Sequence, residues 1–122
     1  MSLRTDWDKG WPSMARLSGA GEDGGEHFPG WSLPAIKYIY EVRNAAMNGH
    51  ETLDTDASAH AAQAGDLACE RWVLDHGKLQ IEVLRNLDKV APAGAILVAA
   101  WPSIEGATGM PARVFAITPK AA

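Results

Sequence analysis

In Asp66-Leu67-Ala68-Cys69-Glu70-Arg71-Trp72-Val73-Leu74-Asp75-His76-Gly77-Lys78-Leu79-Gln80-Ile81-Glu82-Val83 the apolar period changes at Gly77, and that change decides the fold class. Before it, Asp66 is placed to cap a helix over 67–76, and Gly77 is placed to end that helix where a left-handed backbone is favoured. After it, Leu79, Ile81 and Val83 alternate with Gln80 and Glu82, which predicts a strand over 79–83 with one apolar face. Helix and strand in direct succession indicate an α/β or α+β layer arrangement.

The flanking sequence extends the alternation. Ser32 is placed as an N-cap, Pro34 falls in the first turn, and Leu33, Ile36, Ile39 and Tyr40 recur at helical spacing, so a helix is expected over 33–44. Residues 45–52 predict a short buried strand, although Asn48-Gly49 by itself would signal a hairpin turn. Residues 53–65, with Asp54, Asp56, Ser58 and many alanines, predict loop or weak helix. Residues 3–7 read as the end of a strand. Glycines at 19, 21, 24 and 25 mark 18–30 as a flexible loop. Downstream, the unbroken run Ala95-Ile96-Leu97-Val98-Ala99-Ala100-Trp101 predicts a central strand covered on both faces, and 112–118 a last strand.

With 122 residues the chain fits one domain over 1–122. A hydrophobic share of 47% against 21% charged excludes global disorder. The net charge of -4 and the scattered Lys and Arg argue against nucleic acid and against a polybasic membrane patch. No apolar run approaches the roughly 20 residues of a membrane span, and residues 1–11 have no apolar signal core. A single cysteine, Cys69, excludes an internal disulfide and a cysteine zinc cluster, and the cytoplasm is the default compartment. Five tryptophans, at 7, 11, 31, 72 and 101, are many for this length. Core packing is expected for Trp72 and Trp101, and an exposed apolar patch among the others would favour self-association.

Taken in order, the motifs resemble the cyclase family of hydrolases. Phe28-Pro29-Gly30-Trp31-Ser32 precedes a helix, Gly49-His50-Glu51-Thr52-Leu53-Asp54-Thr55-Asp56 follows it, and Ile81-Glu82-Val83-Leu84-Arg85-Asn86-Leu87 is similar to the family's IENLxNL signature. Ile104-Glu105-Gly106 and Pro111-Ala112-Arg113 continue the resemblance, which runs from about residue 4 to 119 and matches the carboxy-terminal half of such proteins. The resemblance implies a three-layer β/β/α fold of the swivelling-domain type, here truncated, with a mixed sheet and about two main helices. It further implies a divalent metal, zinc or manganese, hydrolysis of amide-type C–N bonds such as those of formylkynurenine or isatin, and a homo-oligomer. The family's metal motif, HxGTHxDxPxH, does not occur in these 122 residues, whose histidines are His27, His50, His60 and His76. A cation could therefore be absent, or its remaining ligands could come from another chain.

By family position Glu82 matches a carboxylate that binds a second metal ion; the alternative is a solvent-facing strand residue. Glu70 stands where binuclear members have histidine, and offers an oxygen ligand in its place or a surface ion pair with Arg71 or Lys78. His50 is a candidate general base, with hydrogen bonding at a strand end as the alternative. Asp54 and Asp56 are either oxygen ligands for a hard cation or caps of the next turn. Phe28 and Trp31 are candidate walls for a small aromatic amide, or anchors of their loop on the core. Cys69 is expected to be buried and not a nucleophile. Against the enzyme stand two other readings, a non-catalytic oligomeric remnant and a small-molecule binding module.

Overall fold

The computed structural model describes residues 1–119; residues 120–122 of the expected domain lie outside the described residues. The chain divides into two compact units, Met1–Leu87 and Asp88–Ala122.

In the first unit a parallel sheet has the order β1 (Ser2–Leu3), β2 (Met47–His50), β3 (Leu79–Ile81). Met47 pairs with Leu79 and Gly49 with both Ser2 and Ile81. Asn48-Gly49 is thus strand and not hairpin. The helices are α1 (Met14–Leu17), α2 (Leu33–Lys37), α3 (Ser58–Ala64) and α4 (Ala68–Asp75). The helix expected over 33–44 begins as read, with the Ser32 hydroxyl accepting from the Ala35 amide, but it continues as a π-helical turn, Tyr38–Val42. Residues 3–7 do not extend β1. Thr5 instead gives its amide (2.6 Å) and hydroxyl (3.1 Å) to Glu51 Oε2, Asp6 turns left-handed, and Trp7–Gly10 forms a 3₁₀ turn.

Apolar residues at helical spacing build the core between α2 with its π turn and α4. Ile36, Ile39, Tyr40, Cys69 and Val73 are buried, and Trp31, Leu33, Ala45 and Trp72 pack on them. Each such aliphatic contributes on the order of 1.5–3 kcal/mol relative to exposure. The α4 stop is the one expected. Gly77 has φ +61, its amide donates to Leu74 O, and the Lys78 amide donates to Val73 O, the paired bonds of a Schellman motif.

The α4 start differs. Asp66 does not cap it, but lies in an exposed ion pair with Arg71. The buried carboxylate of Asp56 takes the role, accepting from the Cys69 amide at 2.8 Å and the Glu70 amide at 3.0 Å. Asp56 reaches that position because its segment runs beside Trp31, whose amide donates to Thr55 O at 2.8 Å. The approach needs a glycine at 30, since a Cβ there would lie 2.3 Å from Ala57 N.

In the second unit β4 (Ile96–Ala100) pairs antiparallel with β5 (Arg113–Ile117), from Ile96 opposite Ile117 to Ala100 opposite Arg113. The expected mixed sheet is therefore two separate sheets, one parallel and one antiparallel, in a mixed α/β chain. The expectation of a covered central strand fails as well. Neighbouring residues on opposite faces of β4, Ile96 (65%) and Leu97 (41%), are both exposed, as are Phe115, Ile117 and Trp101. A two-stranded ladder gives each strand one neighbour and leaves both faces open.

Removing the Asp56 carboxylate leaves two α4 amides without an acceptor in a buried setting. Asp56→Ala is expected to lower unfolding stability by about 2–3 kcal/mol, whereas Asp66→Ala leaves the urea midpoint nearly unchanged. Equal effects of the two would refute this assignment of the cap.

Candidate metal centre

Three elements converge on one spot. Asp54 comes from the turn after β2, Glu70 from the first turn of α4, and Glu82 from the residue after β3. One carboxylate oxygen of each lies within 4.8 Å of those of the other two, and all three residues are half-buried. The backbone accounts for the convergence. The Val83 amide donates to Thr52 O (3.1 Å) and the Leu84 amide to His50 O (2.9 Å), which seats 82–84 beside 50–52. Asp56, bonded to the Glu70 amide, fixes the third arm.

Burial is the largest cause that pushes all three carboxyls upward, and like charge adds to it. Glu82 rises to about 7, with Glu70 and Asp54 contributing after burial. Glu70 is raised by burial, then by Asp54 and Asp56. Asp54 is raised by burial, then by Glu26 and Asp56. The Gln80 amide works the other way on both glutamates. An all-oxygen set of mutually repelling, half-buried carboxylates fits a hard divalent cation, which would supply the missing countercharge. Glu70 therefore joins Glu82 in the cluster and does not pair with Arg71, which is held by Asp66.

His50 lies outside the cluster. It is fully buried, with Nε2 3.2 Å from Thr55 Oγ1 and Nδ1 3.1 Å from the Thr52 hydroxyl. Burial pushes its pKa down to about 4, so the ring is neutral at pH 7. Phe28 is 3% exposed, and its carbonyl accepts from Ser58; the side chain has no free face. Trp31 packs on the core, with its indole N–H buried and unpartnered. Cys69 is buried, donates to Trp31 O, and has its thiol pushed up to about 12 by burial and by Asp56. Glu70 also lines an open cleft of about 640 Å³, with Leu67 and Leu74 among its other walls. Asp54 and Gln80 were the residues whose part in the site the sequence reading did not fix. Their signals were a place two residues before the capping Asp56 and a place two residues before Glu82 on one strand face.

No family model matches the chain. An isatin hydrolase of Roseibium aggregatum is 34% identical to it over 119 residues. The chain is homologous to the isatin hydrolases of the cyclase family. The match takes in 98% of this chain but 44% of the relative, so the chain spans less than half the relative's length and corresponds to its carboxy-terminal half. The solved structures agree. Isatin hydrolase A from Ralstonia solanacearum superposes with a TM-score of 0.86 at 33% identity, over 97% of this chain and 44% of that one. Isatin hydrolase A from Labrenzia aggregata, bound to benzyl benzoate, gives 0.86 at 34%, over 98% and 45%. An isatin hydrolase bound to the product analogue thioisatinate gives 0.88 at 34%, again over 98% and 45%. Among the described residues no helix is long and apolar enough to cross a membrane.

The sign of the Glu82 shift gives a pH test. Because the folded-state pKa is raised above the ordinary value of 4.5, the stabilising contribution is full below 4.5 and is lost as pH rises to about 7. Glu82→Gln keeps an acceptor for Gln80 and removes the charge. Urea unfolding of the metal-free chain is expected to show the variant gaining on the wild type between pH 5 and 8; a constant difference would show that Glu82 is not held among like charges.

Proposed function

We propose that this chain carries the carboxylate side of a metal-dependent hydrolase centre acting on C–N bonds of amides or cyclic amides. One observation carries the reading: the convergence of Asp54, Glu70 and Glu82 in a homologue of isatin hydrolases. These three residues would hold a divalent cation, zinc or manganese, through carboxylate oxygens. When bound, such an ion polarises a carbonyl and lowers the pKa of a water ligand. The chain's own residues have separate tasks. Glu82, poised near neutrality, can hold or release a proton at its carboxyl oxygen. Asp56 keeps Glu70 in place through the α4 amides. His50, buried and neutral, supports the site from behind and does not serve as the base. Phe28 and Trp31 hold the 28–32 loop, and an aromatic amide would enter along the open cleft beside Glu70. The imidazole ligands of the family motif would come from residues outside these 122. In that assembly the two units would take their places in a three-layer β/β/α domain of the swivelling type, in the cytoplasm.

Metal content tests this reading. Purified chain dialysed against Mn²⁺ and analysed by inductively coupled plasma mass spectrometry is expected to retain a stoichiometric ion, and Glu82→Gln to lose it. Hydrolysis of isatin or formylkynurenine is expected to need added polypeptide carrying the histidine motif. Wild-type chain that holds no more Mn²⁺ than the variant would sink the proposal.

The exposed hairpin favours a second, compatible reading, a homo-oligomer. Ile96, Leu97, Phe115 and Ile117 expose apolar surface on both faces of a two-stranded ladder, a template for another copy. Light scattering is expected to give at least a dimer, and Phe115→Asp to reduce it to monomer. A wild-type monomer at tens of micromolar would refute it.

A further inference from the structure

Gln80 stands at the centre of a hydrogen-bond chain that leads from a buried histidine to the acidic cluster. Its Oε1 accepts from the Thr55 hydroxyl at 2.8 Å. Its amide nitrogen donates to Glu82 Oε1 at 3.1 Å, and the same side chain works against the burial that raises the Glu70 carboxyl. The orientation of the amide is set by Glu82: turned over, it would present its oxygen to a carboxylate. Thr55 is fully buried, and its other side-chain contact is His50 Nε2 at 3.2 Å. His50 Nδ1 in turn lies 3.1 Å from both the carbonyl and the hydroxyl of Thr52, and that hydroxyl donates to Asp54 O. The contacts His50, Thr55, Gln80 thus end on the carboxylate of Glu82. A side-chain amide has two N–H groups about 120° apart, which suits it to bridge two acceptors that would otherwise repel.

We propose that Gln80 is the positioning residue of this site: its amide, oriented by Thr55 with His50 behind it, holds the Glu82 carboxylate toward those of Glu70 and Asp54, where the three would hold one divalent cation. The inference rests on reading the cluster as a cation site. It adds that the geometry is set in the metal-free chain by residues that never touch the ion. Partners of metal ligands typically govern affinity by about 10–100-fold.

The test uses the whole 122-residue chain, with Mn²⁺ titrated calorimetrically and the side-chain amide of Gln80 followed by ¹⁵N NMR. Gln80→Leu and Thr55→Val are each expected to weaken Mn²⁺ binding by roughly 10-fold or more. The double variant is expected to lose no more than Gln80→Leu alone, because Thr55 acts through Gln80. Thr55→Ser, which keeps the hydroxyl, is expected to restore affinity. The Gln80 amide protons, shifted and slow to exchange in the wild type, are expected to collapse to solvent-like positions in Thr55→Val and to recover in Thr55→Ser. Wild-type affinity in both Gln80→Leu and Thr55→Val, with Glu82→Gln still defective, would overturn the positioning role while leaving the metal site standing. Weakened binding in Thr55→Val with an unchanged Gln80 amide signal would overturn the route through Gln80. Equal binding by wild type and Glu82→Gln would overturn the site itself and this inference with it.

Discussion

The carboxylate of Asp56 is the constraint on which the first unit is organised. A short helix such as α4 starts with backbone N–H groups that need acceptors, and its own N-cap, Leu67, offers no side-chain oxygen. Asp56 supplies two acceptor bonds from a segment more than ten residues upstream. This single group joins the end of the β2 segment to the start of α4, so the packing of Cys69 and Val73 on Ile36 and Ile39 and the position of Glu70 are set together. It also places a buried negative charge near the site, which is part of why the Asp54 and Glu70 carboxyls are raised. Fold stability and site electrostatics thus share one residue.

A second buried carboxylate, Glu51, does for β1 what Asp56 does for α4. It is fully buried and draws in the amide and hydroxyl of Thr5, while its Oε1 has no partner. Leaving an acceptor unpaired at such a place costs on the order of 1–3 kcal/mol. The bonds to Thr5 offset that cost and bend the chain after Leu3, which is why the strand expected over 3–7 stops at its second residue. In this chain the buried acids Asp56 and Glu51 act more as tethers between segments than as surface charges.

What could be read in the sequence was what local chemistry decides. The Gly77 stop, the Ser32 cap and the burial of Cys69 depend on neighbours a few positions away, and each was legible; the strand expected over 79–83 starts at Leu79 but ends at Ile81, with Val83 turned left-handed at φ 55 and Leu79 exposed. Asp66 failed as a cap because two carboxylates competed for the α4 amides, and the choice fell to the one that tertiary pairing with Trp31 carried into place. The apolar run over 95–101 was legible as a strand but not in its surroundings, since composition reports what a strand can bury and not what lies beside it. The resemblance indicated Glu82 and, less directly, Glu70. It gave no notice of Gln80, whose role arises only when β3 is laid beside the 50–56 segment and Thr55 comes within reach. Phe28 could be wall or anchor by residue type alone, and 3% exposure makes it an anchor.

These features divide the cost of building the site unevenly between folding and binding. Carboxyls gathered in a half-buried place resist ionising together, and burial first, then the charges of Glu70 and Asp54, raise Glu82 to about 7. Without some compensation the arms would spread, and a cation would have to gather them at the expense of its own affinity. Asp56 and Gln80 supply the compensation in advance, one through the helix amides and one through its side-chain donors, and the core holds both in register. In the proposed site the raised Glu82 carboxyl would couple cation affinity to pH, because a carboxylate must be deprotonated to act as a ligand. Such preorganisation is what the proposed site would need if its imidazole ligands came from residues outside these 122.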